Sequence, residues 1–131
     1  MATIKLIELE NASSEVNEIF DDIKMTRQTE YINNFWRALA NHPQNLKRVW
    51  GDTKTIMAPG AIDALTKEMV YMAVSIVNNC DYCIHTHTAA ATNKGMTEAQ
   101  YEELLAVIGL AMQNNGLATG MKIPVDERFL K

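Results

Sequence analysis

The chain has 131 residues, of which 47% are hydrophobic and 21% charged, and its formal net charge is −4. This size predicts a single domain over residues 1–131, and the acidic balance offers no basic surface for nucleic acid. No apolar run reaches the roughly 18 to 20 residues of a membrane span, and acids interrupt the N-terminal stretch where a signal peptide needs an apolar core. We therefore expect a cytoplasmic protein without nucleic-acid or membrane partners, whose two cysteines are free thiols, metal ligands or a catalytic pair.

The first half of the chain predicts three helices after an extended lead-in over residues 1–12. The first helix begins at a serine cap, Ser13 or Ser14, and carries apolar residues at helical spacing with an acidic opposite face. A second helix is predicted at about 30–40 from its apolar stripe. Pro43 suits the first turn of a third helix, where its missing N–H is not needed.

The second half predicts three more helices after a loop at residues 58–60. The segment 62–77 becomes apolar nearly all round, which is typical of a central buried helix. A fifth helix over 80–94 should end at Gly95, a residue that favours the left-handed conformation. Thr97 with Gln100 forms a capping-box pattern that opens a sixth helix, and we expect residues 114–116 to end it, with a loop or short turn in the tail.

These patterns predict an all-α fold of about six helices without strands beyond residues 3–9. The last three helices carry more apolar positions than one small bundle needs to bury, which predicts a subunit interface and hence a homo-oligomer. The alternative is a loosely packed core, because the chain has eight methionines and methionine fills irregular gaps readily.

Residues 78–87 hold both cysteines and two of the three histidines. Cys80 and Cys83 form a C-x-x-C pair, which can close a small disulfide and whose thiolate is stabilised at a helix N-terminus. The asparagines at 78 and 79 predict a helix break, with Asn79 or Asp81 capping the helix that follows. Cys83 and His87 are four residues apart and share one helix face, so the imidazole can exchange a proton with that thiol.

Glu68 is the third element of this prediction. On one straight helix Glu68 and Cys80 would lie about 18 Å apart, too far to cooperate. If the chain reverses at residues 78–79, the two helices form an antiparallel hairpin that sets Glu68 opposite His87. A carboxylate against the far ring nitrogen would fix the histidine tautomer and raise its basicity. The alternative is that Glu68 is an ordinary helix residue exposed to solvent and has no part in a site.

Other interpretations of this stretch stay open. Cys80, Cys83 and His87, with either His85 or Glu68, give four ligands of the types that zinc prefers. Two inert buried cysteines are a second alternative, and a thioredoxin-like motif is a third, although that motif belongs to a βαβ context. We expect His85 to be a solvated or capping residue, because it points away from His87.

The spacing from Glu68 through the cysteine pair to His87 is similar to the core of the alkylhydroperoxidase D (AhpD-like) family, within the carboxymuconolactone decarboxylase superfamily. The similarity covers about residues 62–97. It implies a helical fold that assembles through its core helices, often into trimers or hexamers, and a peroxidase or disulfide reductase that needs no cofactor. It implies that Cys83 is the peroxidatic thiolate, Cys80 the resolving thiol, His87 the base and Glu68 its relay partner.

The resemblance further implies a small hydroperoxide as substrate and an external dithiol or lipoyl-type molecule as reductant. One position departs from the family pattern, because Tyr82 stands where characterised members have a histidine; its phenol can donate a hydrogen bond to a peroxide oxygen. Two alternatives remain beside this function. One is a decarboxylase-like enzyme acting on a small organic acid, and the other is a non-enzymatic oligomer that senses redox state or binds zinc.

Overall fold

The computed structural model describes residues 1–130, and every regular element within them is helical. The chain divides after Ala58 into two compact units, each of which is described by itself. The all-α prediction is confirmed, and the described residues contain six α-helices and two short 3-10 helices.

The first unit contains a 3-10 turn at Leu9–Asn11 and the helices α1 (Ser14–Arg27), α2 (Asn34–Leu39) and α3 (Pro43–Met57). Its apolar core joins α1, α2 and α3. Ser13 caps α1 by accepting the backbone N–H of Val16, and Pro43 opens α3, as predicted. The side chain of Trp50 is buried in this core and its indole N–H donates to Asp22 Oδ2 at 2.7 Å.

The helix predicted at about 30–40 is shorter than expected, because α2 begins only at Asn34. The backbone N–H of Tyr31 instead bonds to the hydroxyl of Thr29 at 3.1 Å. This local side-chain bond stabilises a turn in competition with a helix, which is a common effect of threonine.

The second unit contains α4 (Ala64–Val77), α5 (Asp81–Asn93), α6 (Glu98–Met121) and a 3-10 turn at Glu127–Phe129. Asp63 caps α4 through the N–H of Thr66, and Thr97 with Gln100 forms the predicted capping box at the start of α6. Gly95 follows α5 with a φ of 97°, in the conformation that glycine adopts most readily. The α4 helix packs against α5 and α6.

Two predictions for these helices are wrong. The sixth helix does not end at residues 114–116 but continues to Met121, where Lys122 in the left-handed conformation closes it. The α4 helix is not buried all round, since Val70, Val74 and Val77 are 56%, 55% and 58% exposed. Within this chain α5 and α6 cover only part of its surface, so an apolar strip remains open to solvent. No helix within residues 1–130 is long and apolar enough to cross a membrane.

Candidate redox site

A tight reversal between α4 and α5 builds the site. Asn79 has a φ of 56°, a left-handed conformation that asparagine tolerates better than most residues. The backbone N–H of Cys80 bonds to the carbonyl of Ser75 at 3.0 Å, which closes the turn. The predicted hairpin is therefore present, with α4 and α5 antiparallel neighbours.

The two cysteines lie at the start of α5 and are joined as a disulfide, with their Cα atoms 5.4 Å apart. Cys80 is itself the N-cap residue of α5, and its sulfur accepts the backbone N–H of Cys83 at 3.4 Å. The expected caps, Asn79 and Asp81, do not perform this role. Asn79 is used for the reversal, and Asp81 is already the first residue of the helix. The pair therefore lies among the unpaired N–H groups of the helix N-terminus, which favour thiolate.

His87 lies one helical turn beyond Cys83 and its Nδ1 contacts Glu68 Oε2 at 2.6 Å. Glu68 projects from α4 and is only 5% exposed. An ionised carboxylate can only accept hydrogen bonds, so Nδ1 carries the proton and donates it. This contact leaves Nε2 as the lone-pair nitrogen with which the ring can take up a proton. The structure thus sets Glu68 against His87, one helical turn beyond the Cys80–Cys83 pair, and this is the contact that the hairpin interpretation required.

Lys94 is a further member of the cluster that the sequence did not reveal. Its Nζ lies 3.0 Å from Glu68 Oε1, so the two carboxylate oxygens have different partners, one the imidazole and one the ammonium. Lys94 follows His87 by seven residues, which places both on the same face of α5 two turns apart. That spacing was a possible signal, but a lysine side chain is long and flexible enough to point in several directions.

Tyr71 is the second residue that sequence reasoning missed. Its ring stacks on the imidazole of His87, with centroids 3.6 Å apart and planes inclined by 19°. Tyr71 follows Glu68 by three residues on α4, and positions three apart share a helix face. The hairpin prediction that set Glu68 opposite His87 therefore also contained the signal for Tyr71. The imidazole is held on one side by a carboxylate and on its face by an aromatic ring.

Burial raises the pKa of Glu68, but the hydrogen bonds from His87 and Lys94, together with their charges, lower it by more, so the pKa lies below its ordinary value of 4.5. The carboxyl group is therefore ionised throughout the neutral range. A buried charge of this kind needs partners on both oxygens, and His87 and Lys94 supply them.

The remaining candidates lie at the edge of the cluster or outside it. Tyr82 is 40% exposed and comes directly before Cys83. His85 is exposed, in agreement with the expectation that it points away from His87. His42 belongs to the first unit, where its ring caps α3 by accepting the N–H of Asn45 at 3.1 Å. Within the part of the chain that the structure describes, no group of three or more His, Cys, Asp or Glu side chains is arranged to hold a metal ion.

The chain matches the carboxymuconolactone decarboxylase family over residues 43–122. It is similar to the crystal structure of the alkylhydroperoxidase AhpD core from Rhodospirillum rubrum, with 55% identity, coverage of 100% of this chain and 98% of that one, and a TM-score of 0.97. An (R)-2-haloacid dehalogenase of Pseudomonas putida is 28% identical over 105 residues, which are 80% of this chain and 35% of that protein. An uncharacterized protein of the cox locus of Paracoccus denitrificans is 36% identical over 55 residues, 42% of this chain and 50% of that protein. The matches thus span about a third to a half of the length of these two curated relatives.

Proposed function

Because the chain belongs to the carboxymuconolactone decarboxylase family and closely resembles an AhpD core, we propose that it is a thiol-dependent peroxidase or disulfide reductase. The observation that carries this proposal is the bonded pair Cys80–Cys83 one helical turn before an imidazole that Glu68 orients. A dithiol that can open and close, beside a base with a fixed tautomer, is suited to two-electron reduction of a small oxidant.

The proposed cycle begins with the reduced pair. Nε2 of His87 takes the proton of Cys83, and the thiolate attacks the distal oxygen of a hydroperoxide. The O–O bond breaks, the sulfur is oxidised to a sulfenic acid, and the alkoxide leaves as an alcohol with the proton that His87 returns. His87 acts here first as base and then as acid, which requires the fixed Nδ1–H bond to Glu68.

Cys80 completes the cycle as the resolving thiol. Its sulfur displaces hydroxide from the sulfenic acid of Cys83 and forms the disulfide, and the proton released by the Cys80 thiol converts the hydroxide to water. An external dithiol or lipoyl-type reductant then donates two electrons by thiol–disulfide exchange and restores both thiols. Such reductants are kept reduced in the cytoplasm, which is where we propose that the protein works.

We propose that Tyr82, which directly precedes Cys83 in the sequence, contributes a hydrogen-bond donor to the peroxide. A phenol O–H can donate to a peroxide oxygen but is a poor proton acceptor. We assign the base to His87 alone. A Tyr82→Phe variant should consequently lose only the donor, with a fall in rate of roughly tenfold or less, which corresponds to one hydrogen bond of about 1 kcal/mol.

The test compares turnover of an organic hydroperoxide by the reduced protein with dihydrolipoamide as reductant. Cys83→Ser should abolish turnover, and His87→Asn should lower it on the order of a hundredfold, as expected for loss of a general base. Cys80→Ser should stop after one turnover and accumulate a sulfenic acid that dimedone traps on Cys83. Equal rates in wild type and Cys83→Ser would refute the proposal, and so would the absence of a dimedone adduct.

We propose in addition that the protein forms a homo-oligomer, a trimer or hexamer, through α4 and α6. From residue 107 onward, α6 exposes a series of large apolar side chains: Val107, Leu110, Met112, Leu117 and Met121. Apolar surface of this extent is unusual on a monomer and is typical of an interface. Native mass spectrometry should give the higher assembly, and Leu110→Glu should dissociate it. A wild-type monomer at micromolar concentration would contradict this assignment.

A second candidate is an activity on a small organic acid that does not use the thiols. Two observations favour it, the match to the carboxymuconolactone decarboxylase family and the similarity to a protein named (R)-2-haloacid dehalogenase. The pair of Glu68 and His87 can move a proton without Cys80 or Cys83. Turnover of such an acid that survives Cys80→Ala with Cys83→Ala would select this candidate, and loss of turnover would reject it.

A further inference from the structure

The two oxygens of Glu68 are divided between two different kinds of donor. Oε2 accepts from the ring of His87 at 2.6 Å and Oε1 accepts from the ammonium of Lys94 at 3.0 Å. The carboxylate side chain is 7% exposed and that of Lys94 is 38% exposed. The buried carboxylate of Glu68 is therefore paired with an ammonium group that is more accessible to solvent.

A buried carboxylate requires a countercharge, because an isolated ion is poorly solvated inside a protein. Two groups touch Glu68 that can supply it. If Lys94 supplies the charge, His87 can stay neutral, with a lone pair on Nε2. If Lys94 were absent, the imidazole would be the only remaining cation partner and would hold its proton to higher pH. A ring that is already protonated cannot take up the proton of Cys83, and its positive charge stabilises the thiolate of Cys83 instead.

We propose that Lys94 is a positioning residue that supplies the countercharge of Glu68 and thereby leaves His87 free to exchange a proton with Cys83. This role rests on the function proposed above, and it concerns the proton exchange rather than the oxidant. Lys94 acts through Glu68 and His87 and does not touch the reacting sulfur.

The backbone of α5 places Lys94 for this role. Lys94 is the C-cap residue of α5, and its backbone N–H donates to the carbonyls of Ala90 and Ala91. Gly95 turns the chain away directly afterwards. His87 and Lys94 lie seven residues apart, about 10 Å along the axis. The two oxygens of one carboxylate are only about 2 Å apart, so the side chain of residue 94 must extend back toward the helix N-terminus, the direction in which helical side chains point. Only a side chain as long as lysine or arginine spans this gap.

Within residues 1–130, the ion pairs of Glu68 are those with His87 and Lys94. Among the described residues, the side chains that lower the pKa of Glu68 are His87 and Lys94. The α6 helix, which also packs on α4, contributes Tyr101 to the adjoining apolar cluster, while its acids Glu102 and Glu103 are exposed.

The experiment measures how fast iodoacetamide alkylates Cys83 as a function of pH, in a Cys80→Ser background that contains one thiol. Lys94→Met removes both charge and donor, Lys94→Gln keeps a donor without the charge, and Lys94→Arg keeps both. Lys67→Met is the matched control, because it removes one positive charge from α4 beside Glu68 in the sequence. Circular dichroism at each pH verifies that every variant is folded.

Both neutral variants should shift the rise of the alkylation rate to lower pH by roughly one unit, because an imidazole that keeps its proton beside Cys83 stabilises the thiolate. Lys94→Arg and Lys67→Met should follow the parent protein. Superimposable profiles for all five proteins would overturn the proposal, and so would a shift in Lys94→Met that Lys94→Gln does not share, since the donor rather than the charge would then be responsible.

This readout separates the role of Lys94 from the proposed function. Iodoacetamide is not a peroxide, so the profile reports proton exchange at Cys83 whether or not hydroperoxides are reduced. A shifted profile together with no hydroperoxide turnover would retain the role of Lys94 and reject the peroxidase. An unshifted profile together with full hydroperoxide turnover would reject the role of Lys94 and retain the peroxidase.

Discussion

Replacing Glu68 by glutamine should destabilise the protein in a manner that depends on pH. Glutamine has nearly the same shape as glutamate but no charge, and it offers one acceptor oxygen and one NH2 group. Glu68 accepts from two donors, His87 and Lys94, through its two oxygens. In Glu68→Gln one of these donors must therefore face the NH2 group, and one hydrogen bond is lost.

The size of the effect follows from the kind of bond that is lost. Hydrogen bonds to charged groups contribute about 1.5 to 3 kcal/mol to stability. Lys94 can turn to solvent more readily than His87, because its side chain is 38% exposed whereas that of His87 is 19% exposed. The glutamine should therefore retain the bond to His87 and lose the one to Lys94. We expect the free energy of unfolding to fall by about 2 kcal/mol at pH 7.

The pH dependence has a definite sign. Burial raises the pKa of Glu68, but the bonds from His87 and Lys94 outweigh this and leave the pKa below its ordinary value of 4.5. A carboxyl group whose pKa is lower in the folded state contributes stability that is fully present above its unfolded pKa and is lost as the pH falls through its folded pKa. The difference between wild type and Glu68→Gln should be constant from pH 7 down to about pH 5 and should narrow below pH 4.5.

Urea unfolding followed by circular dichroism at 222 nm measures this difference at fixed protein concentration. Glu102→Gln is the control, because it removes an exposed carboxylate from α6 in the same unit. This control should leave the free energy of unfolding within about 0.5 kcal/mol of wild type, both at pH 7 and below pH 4.5. A Glu68→Gln protein as stable as wild type at pH 7, or a difference that stays the same below pH 4.5, would refute the assignment of Glu68 as a buried, ionised partner of both donors.

Three further predictions concern the surroundings of the site and the core of the first unit. Trp50→Phe removes the indole N–H that bonds to Asp22 and should lower the free energy of unfolding by about 1 to 2 kcal/mol; unchanged urea midpoints would count against that bond. Asn79→Val places a β-branched residue at a φ of 56° and should destabilise by about 1 to 2 kcal/mol, whereas Asn79→Gly should be nearly neutral; equal stabilities of the two would contradict the left-handed turn. Tyr71→Ala should slow alkylation of Cys83 by roughly threefold to tenfold through loss of the stack on His87, while Tyr71→Phe keeps the rate, and a similar loss in both would point to the hydroxyl instead.

Local signals account for what the sequence predicted best. The caps at Ser13 and Thr97, the proline at the start of α3 and the glycine after α5 each depend on a few neighbouring residues, and all are present. The reversal at residues 78–79 was also local, and it determined which side chains of α4 and α5 could meet. The contact between Glu68 and His87 follows from that turn together with helix geometry.

The errors arise where tertiary context or unusual chemistry decides. Asparagine and glycine at residues 114–116 weaken a helix by up to about 1 kcal/mol each, but the apolar and small residues that follow let α6 continue. Sulfur is a weak acceptor, so the sequence favoured Asn79 or Asp81 over Cys80 as the cap of α5. The open face of α4 could not be foreseen, because an apolar helix looks the same in the sequence whether its own chain or another protein covers it.

Ala91 explains why the cluster can form between these two helices. It lies between His87 and Lys94 on the same face of α5 and is fully buried. A side chain of this size lets α4 approach α5 closely, and only a close approach allows one short carboxylate to reach both an imidazole and an ammonium from the opposite helix. A larger residue at position 91 would move the helices apart and separate Glu68 from both donors at once.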